Sequence, residues 1–172
     1  MRKLIFLTLV AALAVPAWAT AGSPSAGDRT NAAKQCASEH QAMGTDLFKQ
    51  TYGTNANKSN AFGKCVSQRA KQNQQARSNA AGQCRSERAV DPAAFAAAYG
   101  TGKNHKNAFG KCVSSKAKSA EAKQTHAVVN AAKQCRTEQQ ADPAAFKAQY
   151  GTNANKSNAF GKCVSSKVKH TP

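Results

Sequence analysis

Large apolar side chains are nearly missing from this sequence. Beyond residue 21 there is no tryptophan, no isoleucine and one leucine, Leu47. The remaining apolar content is mostly alanine, with a few phenylalanines, tyrosines and valines. A core built from these residues is thin, and an alanine-rich helix face is too weakly apolar to enter a membrane. Acidic groups are scarce too: 8 Asp and Glu stand against 25 Lys and Arg, a formal charge of +17. Few paired carboxylates can be drawn from so small a set, and His40, His105, His126 and His170 fall at unrelated positions. Acid–base catalysis needs two titratable groups held together. No catalytic residue, cofactor or metal is therefore assigned, and the chain reads as not an enzyme.

What strong hydrophobicity exists lies at the start. Arg2 and Lys3 precede an apolar run from Leu4 to Val15, which Pro16 ends. Ala17-Trp18-Ala19, or Ala19-Thr20-Ala21, then offers small residues for cleavage. Residues 1–21 read as a signal peptide, too short for a membrane span. No other apolar run reaches spanning length, so the mature chain is expected to hold no transmembrane segment and to be secreted, extracellular or wall-associated. Residues 22–30 are small and polar and read as a disordered leader.

The remainder is repetitive. Asn-Ala-Phe-Gly-Lys-Cys-Val-Ser occurs three times, starting at Asn60, Asn107 and Asn158. Upstream of each copy lie Tyr-Gly-Thr, from Tyr52, Tyr99 and Tyr150, and a Phe four residues earlier, Phe48, Phe95 and Phe146. Further upstream comes Asn-Ala-Ala, then Gln-Cys with a Glu three residues after the Cys. A fixed period of this size marks a repeat array. The units are placed at 31–78, 79–129 and 130–172.

Each unit carries two cysteines: Cys36 and Cys65, Cys84 and Cys112, Cys135 and Cys163. An even number in an exported chain favours disulfides, although six cysteines allow 15 connectivities. Two arguments favour pairing inside a unit. Duplication would carry a self-contained pair with it, and Cys65 and Cys84 are expected far apart on one helical stretch. Free thiols and a zinc site are the alternatives. No histidine or further cysteine recurs at ligand spacing to support zinc.

Helical patterning runs throughout, and the chain is expected to be all-α, three tandem helical repeats joined by long helices. Asp91-Pro92 and Asp142-Pro143 read as an N-cap followed by Pro at the first helical position. In the first unit Thr45 or Asp46 takes the capping role. Gly100 and Gly151 are expected to end the short helices. Asn57, Asn104 and Asn155 are read as N-caps of the next helix, in which Phe160, Cys163 and Val164 share one face. Gly63, Gly110 and Gly161 recur inside that helix, which predicts close packing there. No Gly or Pro lies between Lys111 and Ala141, so one unit is expected to run into the next as a helix. Val128-Val129 has no counterpart at the first joint, so the two joints are expected to pack differently.

Two sets of candidate site residues emerge. Glu39 with Lys64, Glu87 with Lys111, and Glu138 with Lys162 flank the cysteines and read as structural ion pairs. Lys58, Lys106 and Lys156 lie at the expected helix starts, where free backbone N–H groups and a lysine form a weak anion-binding site. Gly161-Lys162-Cys163 lacks the glycines of a phosphate loop and is not read as one.

The segments Tyr52 to Val66 and Tyr150 to Val164 resemble a repeat of uncharacterised secreted proteins of high-GC Gram-positive bacteria. The resemblance implies export and repetition, and brings no activity with it. Charge predicts the partner class: an anionic polymer or cell surface, with nucleic acid bound only nonspecifically. The expected function is binding of wall polymer, acidic polysaccharide or extracellular DNA. The alternatives are a cationic effector acting on membranes and a passive structural spacer. Nothing here speaks to an oligomer.

Overall fold

The computed structural model describes residues 23–169. Residues 1–21, read above as a signal peptide, and His170 lie outside the described residues. Within them every element is helical: α1 Ala26–Met43, α2 Thr45–Tyr52, α3 Ala61–Val90, α4 Pro92–Tyr99, α5 Ala108–Ala141, α6 Pro143–Tyr150 and α7 Ala159–Lys169. The all-α expectation holds.

The long helices α1, α3, α5 and α7 alternate in direction. Each is joined to the next through a corner made of one short helix and an asparagine-rich loop. Bridges Cys36–Cys65, Cys84–Cys112 and Cys135–Cys163 staple the three corners, and no cysteine is free. With every sulfur used in a bridge, the zinc and free-thiol alternatives fall. The 30-residue α3 and 34-residue α5 are continuous through the joints. The boundaries 78/79 and 129/130 thus fall inside helices, and neighbouring repeats share an element.

The array folds back on itself. Corners one and three meet in one core containing Phe48, Tyr52, Val128, Phe146, Phe160 and Val164. Corner two stands apart with a small core of Cys84, Phe95, Ala108 and Cys112. Val128 and Val129 are buried, whereas the first joint carries Arg77 and Ser78 at the corresponding places before Asn79. The joints therefore pack differently, as the valine pair predicted. Equivalent residues also meet unequal surroundings. Phe160 is 4 % exposed and Phe62 46 %: α2 lies across α7 as well as packing in its own corner, where Phe62 has the Phe48 ring at 6.3 Å on one side.

Several local expectations are overturned. The leader is helical from Ala26, since Ser25 and Asp28 form a reciprocal capping box. That box satisfies two end N–H groups and starts the helix five residues early. Gly44, not Thr45 or Asp46, precedes α2, with no side-chain cap. Asn57, Asn104 and Asn155 sit in loops, accepting from Ser59, Lys106 and Ser157 N–H two residues on. The next helix starts after Asn60, Asn107 or Asn158 instead. These asparagines bind back to Thr54, Thr101 and Thr152 at 2.6–2.8 Å, closing the loop. Gly63 and Gly110 face open space; only Gly161 packs closely, its absent Cβ 3.4 Å from the Thr51 carbonyl.

Gly53, Gly100 and Gly151 do follow the short helices, but in extended conformation. Their reason is space. A Cβ at Gly53 would lie 2.6 Å from Lys58 Cβ and 2.7 Å from the Lys49 carbonyl, and Gly151 is equally crowded by Lys156 and Lys147. Gly53→Ala and Gly151→Ala should each destabilise by about 1–3 kcal/mol, as overpacked sites do. Urea-unfolding midpoints check this; unchanged midpoints would show that the loops yield freely.

Candidate functional site

The polar constellation beside each disulfide has three members, and the expected ion pairs misplace one of them. Lys64, Lys111 and Lys162 are exposed and do not pair with the carboxylates. The partners are Arg69, Lys116 and Lys167, each four residues after the second cysteine. A residue at i+4 shares the cysteine's helix face and points back toward the corner, whereas a residue at i−1 is turned about 100° away. The signal was present in the sequence, since a base recurs at that place in all three units. The third member is the recurrent tyrosine.

In corner one Tyr52 donates to Glu39 Oε2, Arg69 pairs with Oε1, and Arg69 Nη2–H donates back to the tyrosine oxygen at 3.3 Å. In corner two Tyr99 donates to Glu87 at 3.0 Å and Lys116 pairs with it at 2.8 Å. In corner three Tyr150 donates to Glu138 at 3.0 Å and Lys167 pairs with it at 2.6 Å. One pattern is thus built three times.

Burial separates the copies. The Glu39 and Arg69 side chains are 0 % and 2 % exposed, while Glu87 and Glu138 are 42 % and 40 % exposed. Helix α5 covers the first copy, and Thr125 hydrogen-bonds Glu39 from it. Burial pushes the Glu39 carboxyl above its usual range, against the opposing effects of Arg69 and Tyr52. Burial likewise raises the Tyr52 phenol. Glu87 and Glu138 are lowered, chiefly by hydrogen bonds from Lys116 and Lys167. A phenol whose pKa is raised stays protonated and is a poor acid, and each carboxylate is already engaged. The arrangement acts as an ionic latch, buried in one corner and wet in two.

The expected anion sites also change. Lys58 Nζ donates to the Gly53 carbonyl at 3.0 Å and Lys156 Nζ to the Gly151 carbonyl at 3.3 Å. Each ammonium thus satisfies a carbonyl just past the end of a short helix, in a residue held at φ 59° or 55°. Lys106 is one place out of register. His105 occupies the matching position, with Nδ1 2.9 Å from the Ala96 carbonyl. The three lysines therefore do not form a repeated anion site.

Two adjoining clefts open beside the latch of corner one. The larger, about 320 Å³, is bordered by Tyr52, Gln72, Gln124 and Val128. The smaller, about 230 Å³, is bordered by Arg69, Gln72, Glu121 and Gln124. Among the described residues no group of three metal-ligating side chains gathers, and no helix is long and apolar enough to cross a membrane. Fold and site together define an all-α protein of three disulfide-stapled corners. No protein-family model, curated protein or solved structure matches the chain.

Proposed function

We propose that this is an exported, non-enzymatic, cationic protein that binds anionic surface polymers: wall polymer, acidic polysaccharide or extracellular DNA. One observation carries the reading. Lys64, Lys111 and Lys162 stand exposed at the same place in each corner, with no carboxylate partner among the described residues. Seven of the eight acidic groups, meanwhile, are engaged within the fold, and the eighth, Asp46, is exposed. Asp28, Glu39, Glu87 and Glu138 are in ion pairs. Asp91 and Asp142 cap helices, and Glu121 accepts from Gln35. The 25 Lys and Arg are therefore met by few free carboxylates at the surface. Corners one and three share an end, so Lys64 and Lys162 face a polymer there while Lys111 faces one at the opposite tip. Three bridges in one chain fit an oxidising compartment, which supports export through residues 1–21. Kinship with the secreted repeat proteins that the Tyr-Gly-Thr-Asn segments resemble belongs to the same proposal.

The test is a salt titration of binding to duplex DNA, an acidic polysaccharide and teichoic-acid-rich wall. On DNA each phosphate contact contributes about 0.9 to the log–log salt slope. Substituting Lys64, Lys111 and Lys162 by alanine should reduce that slope by about two to three without lowering thermal stability. Binding that vanishes at physiological salt for every polymer favours the spacer alternative. Leakage of anionic vesicles favours the membrane alternative.

A further inference from the structure

We propose that the paired clefts formed by α3 and α5, the larger of them closed by α7, bind a short uncharged glycan chain seated on a stripe of carboxamides. Gln68, Gln72, Gln75 and Asn79 fall at i, i+4, i+7 and i+11 along α3, one face of the helix. The stripe is about 16 Å long at the helical rise. Gln68 borders the larger cleft, Gln75 and Asn79 the smaller, and Gln72 and Gln124 both. The clefts therefore form one amide-lined groove. At about 230 and 320 Å³ each lies at or below the lower end of the roughly 300–1,000 Å³ typical of ligand pockets. That size suits one ring per cleft.

The chemistry selects the ligand. A carboxamide offers donors and an acceptor side by side, matching a hydroxyl or acetamido group, which also does both. Val128 and Val168 add an apolar wall in the larger cleft, suited to the C–H face of a sugar. Two residues of the smaller cleft carry a buried polar atom without a partner: Arg69, 2 % exposed, at its Nε–H, and Gln35 at its Oε1. Arg69 spends its charge on Glu39, and Glu121 in the smaller cleft offsets Lys169 in the larger, so the groove holds no excess positive charge and a polyanion is not favoured. Duplication accounts for Asn79, which heads the Asn-Ala-Ala repeated at Asn31 and Asn130, but not for the glutamines: counting from the second cysteine, α5 carries Ser115, Ser119 and Ala122 in place of Gln68, Gln72 and Gln75.

The lysines of the charge reading predict binding that weakens with salt and this site predicts binding that does not, so each can fail alone. The experiment is titration of the oxidised protein with chitotriose and with maltotriose, read by NMR at the side-chain NH₂ groups of Gln68, Gln72, Gln75, Asn79 and Gln124. Saturable shifts confined to these groups and unchanged by salt are expected with one of the two. Gln72→Leu with Gln124→Leu should weaken binding at least about tenfold, as loss of hydrogen bonds in a closed site does. Arg69→Lys keeps the pair with Glu39, as Lys116 and Lys167 do natively, but removes the Nη1–H that holds Gln72 Oε1 at 2.8 Å; it should weaken binding while the fold persists. The proposal is overturned if neither trisaccharide shifts these amides, leaving water as the only occupant, or if both variants bind as the parent does.

Discussion

Reducing all three disulfides should unfold the protein at neutral pH and room temperature. The bridges close loops of 28 or 29 residues. On the chain-entropy model each contributes about 3–4 kcal/mol. The loops 36–65, 84–112 and 135–163 do not overlap, so their constraints on the unfolded chain are close to independent. Together they reach about 10 kcal/mol, within the whole stability of a typical domain, about 5–15 kcal/mol. The cores cannot replace them, because they contain one leucine and mostly alanine, valine and phenylalanine. Far-UV circular dichroism during thiol titration gives the readout. A reduced chain that keeps its helicity and melts cooperatively would sink the argument. The bridges should also differ in reach. Cys84→Ala with Cys112→Ala loosens the isolated corner two, whose core has four buried members, and hydrogen exchange should accelerate there first. Cys36→Ala with Cys65→Ala strikes the shared core of corners one and three, and exchange should accelerate across both.

Arg69→Met should cost about 3–5 kcal/mol at neutral pH, the usual result of removing one partner from a buried ion pair. It leaves the Glu39 carboxyl at 0 % exposure without its cation, with Tyr52 as its remaining strong partner. The pH dependence follows from the sign of the Glu39 shift. Its folded pKa is raised by burial, and losing Arg69 raises it further. Stability from this group is therefore present at low pH and lost as pH rises through the folded value. The penalty of Arg69→Met should be largest at high pH and shrink as Glu39 takes up a proton. Adding Glu39→Gln should recover most of it. Glu87 and Glu138 run the other way, because their lowered values give stability that is lost as pH falls through them. Lys116→Met and Lys167→Met remove wet partners that solvent screens, so they should shift stability far less than Arg69→Met. Urea unfolding from acid to neutral pH checks the set. A loss below about 1 kcal/mol for Arg69→Met would place the pair with surface salt bridges.

Some of this was readable in the chain. The three Cys pairs, the Asp-Pro helix starts and the helical joints all rest on local chemistry, and local chemistry survives folding. Capping, proline geometry and the absence of helix breakers act within a few residues, and a short loop brings its own two cysteines together. The ion pairs were half legible. Glu39, Glu87 and Glu138 were placed, but the base was sought beside the cysteine in sequence rather than one helical turn beyond it. Arg69, Lys116 and Lys167 carry the periodicity that would have found them.

The tertiary structure decided the rest because it breaks the symmetry of the repeats. Nearly identical segments present Phe62 to solvent and bury Phe160, and they keep Glu39 dry while Glu87 and Glu138 stay wet. No local pattern distinguishes these copies. The difference arises when α3 and α5 turn back at corner two and bring corner three against corner one, a contact between residues about one hundred positions apart. The amide groove exists for the same reason: the residues of its stripe are local to α3, but its far wall belongs to α5. The sequence by itself determined helices, bridges and charge, since each depends on near neighbours or on composition. Which copy is buried, which cation is dry and where a cleft opens depended on the fold-back, because burial is a property of what arrives from elsewhere in the chain.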